Sequence, residues 1–143
     1  ISIGFLVYFL GALYFANQNS EKLEQAKASL EFLINEINSM KEEIREVQIY
    51  NPEGWVISSW PHKVLKGTPG FREEVNDIPN SCSNLNWENC ICICEDTIAL
   101  NLEGSDCDNK GKCMESDYSV EGDVIKIDEV PLTLNIKDGK ITK

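Results

Sequence analysis

Six cysteines are the residues with the clearest chemistry in this sequence, and all of them lie between positions 82 and 113. Cys90, Cys92 and Cys94 alternate with two isoleucines. In a strand these three thiols would share one face, while Ile91 and Ile93 would face a core on the other. Thiols two residues apart on a strand lie about 7 Å apart, too far to pair easily with one another. We therefore expect each of the three cysteines to have a partner elsewhere in the chain.

The other three cysteines can supply those partners. An even number of cysteines in a short, loop-rich stretch is typical of disulfides formed in an oxidising compartment. Among the many pairings that six cysteines allow, we favour the one that nests the later loop against the strand. Its pairs are Cys82–Cys90, Cys92–Cys113 and Cys94–Cys107. Each bridge would contribute about 2–4 kcal/mol to a domain with a small core.

Metal binding is the alternative use of the same cysteines. Zinc sites usually combine CxxC knuckles, which the CxCxC spacing does not provide. An iron–sulfur cluster requires a different spacing and an intracellular setting. We therefore expect neither a metal nor another cofactor here.

Two further polar features are weak candidates for chemistry. Residues 106–111 resemble the opening of a calcium loop, with Asp117 at the last ligand position, but Lys110 occupies a ligand position and cysteines interrupt the loop. The single histidine, His62, has no cysteine or carboxylate at ligand spacing, which argues against a general base. The sequence contains no Ser/His/Asp ordering, phosphate-binding loop or dinucleotide motif. We expect no enzymatic activity.

Residues 1–16 form an apolar segment, and no charged side chain occurs before residue 21. As a helix it would span about 24 Å, less than the roughly 30 Å hydrocarbon core of a bilayer. The absence of Lys or Arg beside its start suggests that a basic leader has been removed before Ile1. Small residues let helices approach closely, and large apolar ones supply contact area. The candidate assembly residues of these two kinds are Ile1, Gly4, Phe5, Leu6, Tyr8, Phe9, Gly11, Ala12, Tyr14 and Phe15.

Residues 17–50 contain neither Pro nor Gly, and their apolar residues recur at heptad spacing. The heptad stripe consists of Leu23, Ala26, Leu30, Leu33, Ile37, Met40, Ile44 and Val47. We predict one helix from near residue 1 to about residue 49, ended by Asn51–Pro52. The stripe could contact a partner helix or cover the chain's own β domain. The period of about 3.5 residues slightly favours a partner helix, and both interpretations stay open.

Residues 51–143 lack the heptad spacing of the preceding segment, and their short apolar runs predict a β-rich head. Runs of Ile, Val, Leu and Thr predict short strands at 55–60, 91–93, 97–102, 124–127, 132–136 and 141–142. Pro and Gly between 61 and 89 indicate loops, and Asp138–Gly139 predicts a type I′ hairpin. The predicted fold is α+β: a long N-terminal helix over residues 1–50, then a small, disulfide-stapled, mostly antiparallel β head over residues 51–143.

The charge of the chain limits its partners. The formal net charge is −11 at pH 7, and most of the acidic excess falls in residues 51–143. An acidic surface repels phosphate groups, so nucleic acid is not expected as a partner.

The apolar N-terminus, the single long helix and the C-terminal β head together resemble the type IV pilin superfamily. In that family a dedicated peptidase removes a basic leader. The N-terminal helix then sits in the membrane and later packs into the filament core, with the head facing outward. Bacterial members carry Glu at the fifth mature position, where this chain has Phe5. Archaeal pilins and archaellins commonly lack that Glu, so the resemblance favours the archaeal branch.

The resemblance implies a pilin that forms an extracellular filament on the cell surface and serves in adhesion or surface attachment. The implied partners are other copies of the chain, the cytoplasmic membrane before assembly, and the prepilin peptidase with its assembly machinery. The alternative hypothesis is a single-pass membrane protein with a coiled-coil stalk and an extracellular sensor or binding head.

Overall fold

The computed structural model describes residues 2–41, 43–50, 53–95 and 102–143, with the backbone alone at residues 2 and 14–20. Within these ranges the helices are α1 (Ser2–Asn38), α2 (Asn80–Ser83) and α3 (Gly104–Asn109). The strands are β1 (Ile44–Ile49), β2 (Trp55–Trp60), β3 (His62–Lys66), β4 (Glu73–Asp77), β5 (Cys90–Glu95), β6 (Gly111–Glu115), β7 (Ser119–Val120), β8 (Val124–Lys126), β9 (Leu132–Lys137) and β10 (Lys140–Thr142). The predicted α+β class, with its helical N-terminus and mostly antiparallel β remainder, is confirmed.

The described strands form two four-stranded sheets and a separate hairpin. The first sheet has the order β1-β9-β10-β7, and the second has the order β6-β5-β2-β8. Strands β3 and β4 pair only with each other among the described strands. The pairings are antiparallel apart from the short parallel contact of β10 with β7.

The main core lies between the C-terminal half of α1 and the two four-stranded sheets. Leu30 and Leu33 of the helix and Ile91 and Ile93 of β5 are fully buried there. The other face of β5 carries the cysteines and forms a second, smaller core with residues of β2, β3 and the segments that follow. The period-two alternation predicted for residues 90–94 therefore places isoleucines and cysteines on opposite faces of the strand, as expected.

The predicted continuation of the helix to about residue 49 is wrong. Helix α1 ends at Asn38, and residues 44–49 form β1, which pairs with β9 along its full length. Val47 and Ile49 are buried by this pairing, and Arg45 reaches back to Glu36 of the helix at 2.8 Å. The branched residues of this segment suit a half-buried strand, and tertiary pairing outweighs their helical spacing. The predicted stop at Asn51–Pro52 lies outside the described residues.

Local signals predicted several strands well. Strand β2 has the predicted bounds, and the predicted strands at 91–93, 124–127, 132–136 and 141–142 fall on β5, β8, β9 and β10. The Asp138–Gly139 turn is confirmed, because both residues have positive φ and Lys137 faces Lys140 across it. The predicted strand at 97–102 lies outside the described residues, apart from Leu102, which is not in a strand.

The prediction of loops throughout 61–89 is wrong for the hairpin of β3 and β4. Their register runs from His62 opposite Asp77 to Lys66 opposite Glu73. Proline and glycine in this region fall in the connecting turn and beyond the strand ends, where they do not interrupt the ladder.

Candidate assembly surface

The first turns of α1 expose apolar side chains on every side. Ile3, Phe5 and Tyr8 are 80%, 72% and 76% exposed, although they point in different directions around the helix. Leu6, Phe9 and Ala12 are also exposed, so no single face of this segment is covered by the chain itself. The segment from residue 3 to residue 13 carries no charge. Residues 3–13 thus form an uncharged, apolar helical rod that extends from the head. Of the remaining predicted assembly residues, Ile1 and the side chains of Tyr14 and Phe15 lie outside the description.

Two glycines lie within this exposed rod. A Cβ atom added at Gly4 or Gly11 would meet no heavy atom within 4 Å. The two glycines are seven residues apart, which is about two helical turns, so they lie on nearly the same side. Neither glycine is required by packing within the chain. Their small size leaves a surface on which another helix can approach closely.

The heptad stripe serves a different purpose from the rod. Ala26, Leu30, Leu33 and Ile37 are buried against the chain's own sheets, and Leu23 and Met40 are partly buried beside them. The last three predicted stripe positions, Met40, Ile44 and Val47, lie beyond the end of the helix at Asn38. Ile44 and Val47 lie in β1, where Ile44 is exposed and Val47 is buried. Of the two interpretations left open by the sequence, the structure therefore shows the helical part of the stripe covering the chain's own head.

The cysteines form the three predicted pairs. Cys82–Cys90, Cys92–Cys113 and Cys94–Cys107 are disulfides with Cα–Cα distances of 6.3, 4.1 and 5.0 Å. Each bridge joins β5 to a different element, namely α2, β6 and α3. The sulfur atoms lie within 4.8 Å of one another in two groups, Cys82/Cys90/Cys92/Cys113 and Cys92/Cys94/Cys107. Joined as disulfides they are not thiolate ligands. The bridges fasten these two helices and the neighbouring strand to β5.

The segment that resembled a calcium loop spans the end of α3 and the first residue of β6, and its two aspartates lie in the helix. The Asp106 carboxylate accepts a hydrogen bond from the Glu103 N–H at 2.9 Å, within a capping box at the start of α3. The Asp108 carboxylate accepts bonds from the N–H groups of Asn80 and Ser81 at 2.9 and 2.8 Å. Both carboxylates therefore accept hydrogen bonds from backbone N–H groups at the starts of helices. Asp117 lies in the connection after β6.

His62 is a buried structural residue. Its ring stacks on Trp60 at a centroid distance of 3.8 Å. Nδ1 lies 2.9 Å from the Ser59 carbonyl oxygen, and Nε2 lies 3.2 Å from the Leu102 carbonyl oxygen. The imidazole thus contacts backbone at two distant points of the chain, and it faces no nucleophile in these contacts.

The partly buried carboxylate of Asp77 links the β3–β4 hairpin to α3. It accepts hydrogen bonds from Lys66 Nζ at 2.7 Å and from the Gly104 N–H at 2.6 Å. Partial burial raises the pKa of Asp77, but the hydrogen bonds from Lys66 and backbone N–H groups, together with the charge of Lys66, hold its pKa below the ordinary value. The hydrogen bond between Asp77 and Lys66 also raises the pKa of Lys66.

Two exposed apolar features were not predicted from the sequence. Phe71, in the turn between β3 and β4, is 86% exposed. Phe32 and Tyr50 are about half exposed and border a groove between α1 and β1. The exposure of Phe71 could have been predicted, because Phe71 directly follows the turn signal Pro69–Gly70 and is flanked by polar residues. The second depends on the strand that was predicted as helix.

No family model matches the chain, and neither curated proteins nor solved structures include a match to it. Within the part of the chain that is described, no helix combines the length and the hydropathy needed to cross a bilayer.

Proposed function

We propose that this chain is the structural subunit of an extracellular, type IV pilus-like helical filament, assembled through its N-terminal helix. One observation carries the proposal. The same helix is apolar and exposed on all sides from Ile3 to Leu13, yet packs on its own head from Leu23 onward. A helix that is hydrophobic all round requires burial that the monomer does not provide.

The size of the exposed rod supports burial among several copies. Eight large apolar side chains between Ile3 and Leu13 are exposed. At about 1.5–3 kcal/mol each, their complete burial contributes about 12–24 kcal/mol before costs. Association of two molecules costs about 4–15 kcal/mol in lost freedom. A bundle in which each rod contacts several others covers more of this area than a dimer does, so a polymer suits the surface better than a pair.

The stripe on the rest of the helix argues against the coiled-coil stalk. Such a stalk requires free a and d positions for a partner helix. Ala26, Leu30, Leu33 and Ile37 are instead buried inside the subunit. Residues that would hold a stalk together are thus already used for folding.

The head is suited to the outside of a filament. Its acidic surface favours solubility, and three disulfides hold a small core together in an oxidising environment. We assign it the contacts with surfaces or other cells. The absence of Glu from the whole apolar segment favours an archaeal-type pilin, made in the cytoplasmic membrane and processed by a prepilin peptidase before assembly.

The direct test uses fibres sheared from cells, examined by electron microscopy and by N-terminal sequencing of the subunit. Leu6→Asp places a charge in the proposed filament core and should abolish the fibres. Leu85→Asp is the matched control, since Leu6 and Leu85 are 57% and 59% exposed and only Leu6 lies in the rod. Normal fibres from Leu6→Asp, or a wild-type subunit found only as a lipid-seated protein, would contradict the proposal.

A further inference from the structure

The ring of His62 lies between two backbone acceptors that are far apart in the sequence. Nδ1 lies 2.9 Å from the carbonyl oxygen of Ser59, and Nε2 lies 3.2 Å from the carbonyl oxygen of Leu102. A neutral imidazole carries one N–H group, so it can donate to only one of these two oxygens. Its other nitrogen then directs a lone pair at a carbonyl oxygen. The doubly protonated ring carries two N–H groups and therefore matches both acceptors.

The surroundings of the His62 ring also suit a cation. The ring is buried and stacks on Trp60 with an interplanar angle of 24°. A cation over the face of an indole is attracted by the electrons of that face. Asp77 lies directly opposite His62 in the antiparallel register of β3 and β4, so the two side chains share one face of the hairpin. Because the pKa of Asp77 is held below its ordinary value, this neighbour is a carboxylate at mildly acidic pH.

The charged groups next to the ring leave a net negative charge. Within the described part of the chain they are Asp77 of β4, Lys66 further along β3, and Glu103, which follows Leu102 directly. Lys66 Nζ donates to Asp77 at 2.7 Å, and the charge of Glu103 also acts on Lys66. The adjacent Lys63 lies on the other, exposed face of β3. Two carboxylates and one ammonium group thus flank the ring, which favours its charged form.

His62 and Asp77 hold the same short segment, residues 102–104, from opposite strands of the hairpin. The Nε2 atom of His62 lies at the Leu102 carbonyl oxygen, and the Asp77 carboxylate accepts from the Gly104 N–H at 2.6 Å. We propose that His62 is a proton-dependent latch, which fastens residues 102–104 to the β3–β4 hairpin more tightly when its ring takes up a second proton. That proton completes the second of the two hydrogen bonds. Histidine in an ordinary environment takes it up at about pH 6.5, so the latch responds to mild acid.

The latch and the Asp77 carboxylate respond to acid in opposite directions. Protonation of His62 adds a hydrogen bond to the segment. Protonation of Asp77, at a pH below the ordinary value for aspartate, weakens the bonds from Lys66 and Gly104. The contact between the hairpin and the segment before α3 should therefore be strongest at mildly acidic pH and weaker on either side.

Because His62 is the only histidine of the chain, its ring can be observed without interference from others. The test is nitrogen NMR of the full, detergent-solubilised chain labelled at histidine, from about pH 8 to about pH 5. The two ring nitrogens give widely separated signals in the neutral ring and similar signals in the doubly protonated ring. The latch requires the folded protein to pass from the first pattern to the second across this range. A ring that keeps one protonation state throughout, neutral or charged, would overturn the proposal.

Amide hydrogen exchange, corrected for the intrinsic effect of pH, measures the fastening itself. Protection of the Gly104 N–H should rise about tenfold as the ring is protonated. His62→Gln, whose amide has the same donors and acceptor at every pH in this range, should show no such rise. The Ile127 N–H, which donates to the Trp55 carbonyl oxygen, is the reference elsewhere in the head. No rise at Gly104, or an equal rise at Ile127 or in His62→Gln, would overturn the latch, and the wild-type ring signals decide even where the variant does not fold.

Discussion

The Asp77 carboxylate joins two parts of the head through charge-assisted hydrogen bonds from Lys66 and Gly104. Because the pKa of Asp77 is lower in the folded state, its contribution to stability is fully present at pH values above the unfolded pKa of about 3.9. That contribution is lost as pH falls through the lower folded value. Acid should therefore loosen the contact between the β3–β4 hairpin and α3.

Asp77→Asn should destabilise the fold at pH 7 by about 1–3 kcal/mol, because it weakens both hydrogen bonds. It should also flatten the decline of stability between about pH 5 and pH 2, since the titrating group is gone. Denaturant titrations at several pH values measure both effects. Glu74→Gln is the control, because its ion pair with Lys63 is exposed and long at 3.7 Å. An unchanged pH profile for Asp77→Asn would refute this assignment.

His62 should contribute to stability through its two contacts with backbone carbonyl groups. His62→Phe keeps an aromatic ring to stack on Trp60 but removes the imidazole N–H, which can donate to the carbonyl oxygen of either Ser59 or Leu102. Leaving a buried acceptor without its donor costs about 1–3 kcal/mol. Chemical denaturation measures the loss, and a variant as stable as the wild type would show that stacking alone holds this residue in place.

Helix α1 combines an exposed N-terminal half with a C-terminal half that is buried in the core. One leucine substitution in each half tests this difference. Leu33 is 1% exposed in the core, whereas Leu13 is 46% exposed on the rod. Leu33→Ala should reduce the free energy of unfolding by about 2–5 kcal/mol, because it leaves a cavity. Leu13→Ala should leave subunit stability almost unchanged. Denaturation of the detergent-solubilised subunit compares the two, and equal losses would show that the rod packs within its own subunit.

Sequence patterns predicted the elements that depend on local chemistry. Alternation along β5 placed its cysteines on one face, and Asp138–Gly139 determined a hairpin by its backbone preference. The end of α1 could not be predicted in this way. Ile44 and Val47 continue the heptad spacing and equally suit a strand, so pairing with the distant β9 decides between them. The hairpin of β3 and β4, and with it the exposure of Phe71, also depends on contacts that spacing does not reveal.

The glycines of the rod should matter for assembly and not for folding. Gly11→Ala has open space around the added methyl group in the subunit and increases helix propensity by about 0.8–1 kcal/mol. Circular dichroism should therefore show an equally or more helical subunit. The same methyl group separates helices that approach closely, so filaments should dissociate more readily on dilution or heating. Filaments as stable as the wild type would show that Gly11 is not at a helix–helix contact.

The surroundings of residues 3–13 in native material decide whether the chain forms the proposed filament. Helical reconstruction of fibres sheared from cells by electron cryomicroscopy shows these surroundings directly. The proposed filament requires a central bundle in which the rod of each copy contacts only other rods, with the disulfide-bonded heads outside. Fibres held together by their heads, with the rods exposed or embedded in lipid, would contradict it.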